Sequence, residues 1–149
     1  MSDHSGESTF NHVTSNPSYS GLIKRDYDAP NEVDTQIKVQ LQMLDELIPD
    51  DLKIDLIKID VEGAEFLVLK GAHKTIDKNK PLVIFEHGLG ASEHYGYSSD
   101  ELFDWFSSRQ MHISTLKKFL NKKEPFGKVA FNDQYQKRKN YYFIAYPRL

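Results

Sequence analysis

Four titratable residues, Asp60, Glu62, Glu86 and His87, stand at the ends of the two most apolar runs in the chain, Ile54 to Val61 and Leu82 to Phe85. Side chains alternate along a strand, so Ile54, Leu56, Lys58, Asp60 and Glu62 share a face as long as the extended geometry persists. That face turns from apolar to charged at its carboxyl end. In open parallel sheets ligands bind outside the carboxyl ends of the strands, and Glu86 and His87 end the second run at a similar level. The four groups are expected to converge there and to handle a proton, a hydroxyl or a divalent cation. Spacing alone leaves the reaction and the ligand open. A purely structural reading stands beside it, in which Lys58 pairs with a carboxylate, Glu62 or Glu65 favours a helix amino terminus, and His87 only begins a solvated loop.

The elements that must position these groups follow from periodicity. Ile54 to Val61 reads as a strand covered on both faces in a parallel sheet. Ala64, Leu67, Val68, Gly71, Ala72, Thr75 and Ile76 then fall at 3.6-residue spacing, which predicts a helix over about 64–78, with Gly71 permitting close approach to the sheet. Pro81 opens the second strand, and about twenty residues containing a helix are what a parallel crossover needs. The segment is therefore a βαβ unit.

Around this core the pattern is thinner. Residues 1–34 are polar and turn-rich, holding Gly6, Pro17, Gly21 and Pro30, with one alternating run, Ser8 to Val13, suited to an edge strand. Gln36 to Gln40 reads as a strand, and Leu41, Leu44, Leu47 and Ile48 as a short helix that Pro49 ends. Downstream, Ser98 or Ser99 caps a helix carrying Glu101 in its first turn and Leu102, Phe103, Trp105 and Phe106 on its inner face, ending near Gln110. His112 to Phe119 and Asn140 to Tyr146 read as two terminal strands in an antiparallel hairpin, with a basic loop between them.

Composition bounds the function classes. A chain of 149 residues, 39% hydrophobic and 28% charged, with no internal repeat, fits one ordinary globular domain. Its net charge of -3 provides no global field for nucleic acid or anionic lipid. The lysines and arginines between 117 and 139 are interrupted by Glu124 and Asp133, as in a solvated loop. The absence of cysteine removes disulfides, thiolate zinc sites and thiol nucleophiles. The six histidines show no tight ligand spacing, and His73 is read as structural. No signal sequence or run of about 18 apolar residues is present, so the expectation is a soluble, cytoplasmic protein with neither a membrane nor a nucleic-acid partner. Asn16-Pro17-Ser18-Tyr19 is similar to the NPPY loop of nucleobase amino-methyltransferases, but a polar turn with Pro17 at its second position accounts for it.

The stretch from Ile54 to Glu65, Ile-Asp-Leu-Ile-Lys-Ile-Asp-Val-Glu-Gly-Ala-Glu, followed by Val68-Leu69-Lys70-Gly71-Ala72 and Pro81 to Glu86, resembles the FkbM-type methyltransferases. Ser2 to Gly6 and Leu44-Asp45-Glu46-Leu47 also look like that family, and the resemblance fades after about residue 115. It implies an α/β, Rossmann-like sheet and an S-adenosylmethionine-dependent methyltransferase, commonly acting on hydroxyl groups of sugars, polyketides or other small molecules. Carried over by position, Asp60 and Glu62 match the acidic pair of the family's fourth strand, and Glu65 and Glu86 match its other recurrent carboxylates.

Enzymes of this family begin with a strand and a glycine-rich turn for the cofactor, then a second strand with an acidic residue for the ribose. Neither is found here, and Gly88-Leu89-Gly90, the one GxG, reads as a loop. The expectation is therefore a single domain over 1–149 equivalent to the carboxyl-terminal portion of a methyltransferase, with the Rossmann-like sheet incomplete. Three accounts stay open: a fragment of an enzyme, one half of a split enzyme completed by another chain or a second copy, or a non-catalytic half-domain that binds a partner.

Overall fold

The structure, a computed structural model, describes residues 1–25 and 31–148; Pro30, one of the turn residues named above, lies outside them. Strands β1 (Gly6–Val13) and β2 (Asp34–Leu41) form a two-stranded antiparallel ribbon, with Gly6 opposite Leu41 and Val13 opposite Asp34. Both alternating runs are thus strands, each longer than the pattern predicted. Leu41 stays in β2, so helix α1 (Leu44–Leu47) is a single turn.

The second sheet holds β3 (Leu56–Ile59), β4 (Leu82–Glu86), β5 (Met111–Ser114) and β6 (Tyr142–Pro147) in the order β3-β4-β6-β5. β3 and β4 are parallel, as the βαβ reading requires. β6 runs antiparallel to both β4 and β5, so the last strand of the chain fills the middle of a mixed sheet.

One face of this sheet carries the core. Ile59, Val83, Phe85, Met111, Ile113, Phe143 and Ala145 pack there against Phe66, Val68, Leu69 and Ile76 from α2 (Glu65–Lys70) and α3 (His73–Asn79). Leu102 and Phe106 from α4 (Ser99–Ser108) and Phe131 from α6 (Lys128–Gln136) complete it. The aromatic group of α4 is core, as expected. Ser98 caps that helix in a reciprocal box with Glu101. The opposite face is only partly covered, by Phe119 of α5 (Leu116–Leu120) packing on Tyr146.

Several expectations are corrected. β3 is four residues long and lies at the sheet edge, with Leu56 55% exposed. It is therefore half-buried: helices cover the side bearing Ile59, and among the described residues none covers the side bearing Leu56 and Lys58. The expected helix over 64–78 breaks into α2 and α3 at Gly71-Ala72, because the Gly71 carbonyl accepts from the Asp45 N–H (3.0 Å). The Asp45 carboxylate accepts from the N–H groups of Lys74 (2.9 Å) and Thr75 (2.8 Å), serving as a remote cap for α3. A Cβ on Gly71 would stand 1.9 Å from the Ser2 carbonyl oxygen, so the close approach there is to the amino-terminal segment and not to the sheet. The run from His112 to Phe119 is strand only to Ser114. Thr115 then accepts from the Lys118 N–H and starts α5. The basic stretch that follows contains α6.

Candidate active site

β3 ends at Ile59, and the chain turns through Asp60, Val61 and Glu62, whose φ of 55° is left-handed. Extended geometry therefore stops before Glu62, and the shared face expected of Asp60 and Glu62 is not formed. Glu65 holds this turn from below: its Oε1 accepts from the N–H groups of Val61 (3.1 Å) and Gly63 (3.3 Å). The Tyr97 hydroxyl donates to the Gly63 carbonyl at 3.1 Å. Gly63, at φ 103°, is required here because a Cβ would lie 2.6 Å from the Ala91 backbone. The loops after β3 and β4 thus touch through a glycine.

Between them opens a pocket of about 460 Å³, lined by Tyr19, Arg25, Glu62, Gly63, Glu65, Glu86, Tyr141 and the loop from Gly88 to His94, which includes Glu93. Arg25, 7% exposed, ties its walls together: its guanidinium donates to the Ser18 carbonyl (2.5 Å), to Glu62 Oε2 (3.2 Å) and to the Gly90 carbonyl (3.4 Å). It lies 5.7 Å from the centre of the Tyr19 ring. Among the described lining residues Arg25 is the one Lys or Arg. Arg25 Nε and Glu65 Oε2 are buried without a hydrogen-bond partner.

Glu86 ends β4 on the face shared with Lys58 and Tyr142. Partial burial raises its pKa to about 7, with Glu62, Glu65 and Asp60 adding to the rise and Arg25 opposing it. Burial likewise pushes Glu65 up, against the pull of its backbone N–H donors. His87 is elsewhere. Alternation sends it to the core face, 1% exposed, where it stacks on Tyr97, Phe131 and Tyr135 and bonds Ser99 Oγ through Nε2 at 2.7 Å. Burial lowers its pKa to about 4, so it is neutral and apart from the pocket.

Asp60 is exposed, pairs with Lys58 at 2.6 Å, and faces a second cleft of about 410 Å³ with Phe10, Ser20, Leu22, Val39, Leu41 and Glu62. The pairing of Lys58 with a carboxylate is thus observed. Of the four predicted site residues, the structure brings Glu62 and Glu86 together, sets Asp60 across the Glu62 turn, and removes His87 to the core. Sequence reasoning missed Arg25, Tyr19, Glu93 and Tyr141. The sequence reads Tyr19 as part of a turn, and it does end a short 3-10 turn, Pro17–Tyr19. No local pattern marks Arg25, whose partners are 7, 37 and 65 residues away.

A family model, the Methyltransferase FkbM domain, matches residues 2–113, which hold the β3 turn, Glu65, Glu86 and Arg25. The chain belongs to the FkbM methyltransferase family. The match ends close to where the sequence resemblance fades. No curated protein and no solved structure matches the chain. FkbM methyltransferases generally use S-adenosylmethionine. The donor set here suits its adenosine portion: the second cleft joins apolar Phe10, Leu22, Val39 and Leu41 to the acceptor oxygens of Asp60 and Glu62. Among the described residues no group of three or more His, Asp or Glu side chains is arranged to hold a metal ion, and no helix is long and apolar enough to cross a membrane.

Proposed function

We propose that this FkbM-family chain is an S-adenosylmethionine-dependent O-methyltransferase for a hydroxyl of a small molecule or glycan. The acceptor would occupy the Arg25–Glu86 pocket and the cofactor the neighbouring cleft. The observation that carries the reading is Glu86, a carboxyl group at a strand end, in a pocket, with its pKa raised to about 7. A general base for a hydroxyl works best with a pKa near the working pH. Two clefts that share Glu62 across one turn support a two-ligand arrangement.

In the cofactor cleft Phe10, Val39 and Leu41 would face the purine, and Asp60 and Glu62 would accept from ribose hydroxyls. When bound, S-adenosylmethionine supplies an electrophilic methyl group. The chain's own residues must hold the acceptor hydroxyl and take its proton. Glu86, ionised as pH rises past about 7, accepts that proton as the hydroxyl oxygen takes the methyl group. Glu62, fixed by Arg25, keeps the two clefts in register.

The test is a calorimetric titration of the folded chain with S-adenosylhomocysteine. Binding is expected, weakened tenfold or more by Asp60→Asn. In Glu86→Gln binding should survive, while methyl transfer falls by about 10²–10⁴ and loses its rise with pH. A folded chain that takes up no S-adenosylhomocysteine overturns the reading for this chain alone. That outcome would favour a second one, a half-domain completed by another chain or a second copy, which is supported by β3 having a strand partner on one side only among the described residues.

A further inference from the structure

The Arg25–Glu86 pocket carries more negative charge than its own groups neutralise. Glu62, Glu65, Glu86 and Glu93 line it, with one guanidinium, that of Arg25, and the His94 imidazole. Arg25 is committed to Glu62 at 3.2 Å, and Glu93 Oε1 accepts from the Gly90 N–H at 2.7 Å. Neither Glu65 nor Glu86 forms an ion pair among the described residues, although Arg25 and Lys58 lie within electrostatic reach of Glu86, and Glu65, 1% exposed, holds Oε2 without a hydrogen-bond partner at the pocket wall. Leaving a buried acceptor without a hydrogen bond is costly, so a ligand that donates to Glu65 Oε2 gains by supplying one. Arg25 Nε, also buried and unpartnered, asks for an acceptor on the same ligand.

These demands narrow the ligand class. An anion is opposed by the carboxylates. An apolar ligand leaves both orphaned atoms unpaired. A divalent cation lacks a ligand set, since no group of three metal-binding side chains occurs among the described residues. A neutral polyol satisfies the hydrogen bonds but leaves the charge uncompensated. An ammonium group satisfies both, and hydroxyl oxygens beside it can accept from Arg25.

Resting on the methyltransferase reading above, we propose that the acceptor is an amine-bearing polyol, with its protonated amine against Glu65 Oε2, one hydroxyl oxygen toward Arg25 and another hydroxyl beside Glu86. The amine is a recognition group. The hydroxyl beside Glu86 remains the site of methylation. Glu65→Gln is the discriminating variant: its side-chain carbonyl can still accept from Val61 and Gly63, so the turn is kept while the charge is lost.

The experiment is an NMR titration of the full chain at pH 7.5 with glucosamine, N-acetylglucosamine and glucose, following the amides of Gly63, Gly88 and Gly90. Glucosamine is expected to bind at least tenfold more tightly than the two neutral sugars and to shift those amides. The preference should weaken as salt rises and should vanish in Glu65→Gln. Equal binding of the three, no binding, or shifts confined to other residues overturns the inference. Repeating the titration with saturating S-adenosylhomocysteine separates the sources of an ammonium. Unchanged or tighter glucosamine binding supports an acceptor site, whereas displacement assigns the ammonium position to the cofactor and overturns the proposal. If glucosamine binds selectively but S-adenosylhomocysteine does not bind at all, amine recognition stands and the methyl-transfer reading falls.

Discussion

One peptide bond separates Glu86 from His87, yet the pleat of β4 sends the first to the pocket and the second into an aromatic stack. Burial makes both resist ionisation, which moves their pKa values in opposite directions, to about 7 and about 4. For His87 the folded-state value lies below the ordinary one. Stability is therefore complete above about pH 6.5 and is lost as pH falls toward about 4, because the unfolded chain takes up the proton first. The loss amounts to about 3 kcal/mol at acid pH. His87→Phe keeps the ring stack and removes the titration. At pH 7.5 it should be less stable by about 1–2 kcal/mol, since the Ser99 hydroxyl loses its partner. Between pH 7.5 and 4.5 it should lose less stability than the parent, as urea midpoints at both pH values would reveal. Equal losses in both proteins would show that another group controls the acid transition. The pairing of Glu86 with His87 at one site was already at odds with strand alternation, which puts consecutive residues on opposite faces.

At the scale of elements, those read correctly from the sequence are those whose causes are local. Ser98 and Glu101 form their box within one helical turn, and both ends of α4 follow from it and from the apolar spacing behind it. Replacing Ser98 with Ala removes the side-chain acceptor for the Glu101 N–H and should cost about 1 kcal/mol, read as a lowered Tm with unchanged S-adenosylhomocysteine affinity. An unaltered Tm would mean that packing of Leu102 and Phe106, not the cap, sets the start of α4. α5 and α6 were hidden among lysines. Thr115, a capping residue, was the available signal for the first, and Phe131 and Tyr135, four apart on one helical face, for the second. The break at Gly71 had no local signal, since its cause is Asp45, twenty-six residues earlier.

In the whole molecule, the span matched to the FkbM family stops at residue 113, but the sheet does not. β6 lies between β4 and β5, and Phe143, Ile144 and Ala145 are each buried. The carboxyl-terminal strand therefore joins two strands that do not pair with each other. A chain ending at Ser114 should lose the cooperative unfolding transition seen by circular dichroism, because β5 is left without a partner and Phe85 without Phe143. A cooperative melt in the shortened chain would show that residues 115–148 are an addition and not part of the core.

The βαβ unit, the strand end that carries Glu86, the capped helix and the family itself were determined by the sequence, because each depends on residue type and spacing within a few turns or one crossover. Only the tertiary structure decided that β3 is an edge strand, that His87 belongs to the core, and that Arg25 and Glu65 shape the pocket. Those facts depend on which distant segments meet: the Arg25 guanidinium spans from Ser18 to Gly90, and the Gly63 turn exists against Ala91. Such contacts leave no periodicity in the chain, since burial and charge at a site are summed over everything that surrounds it.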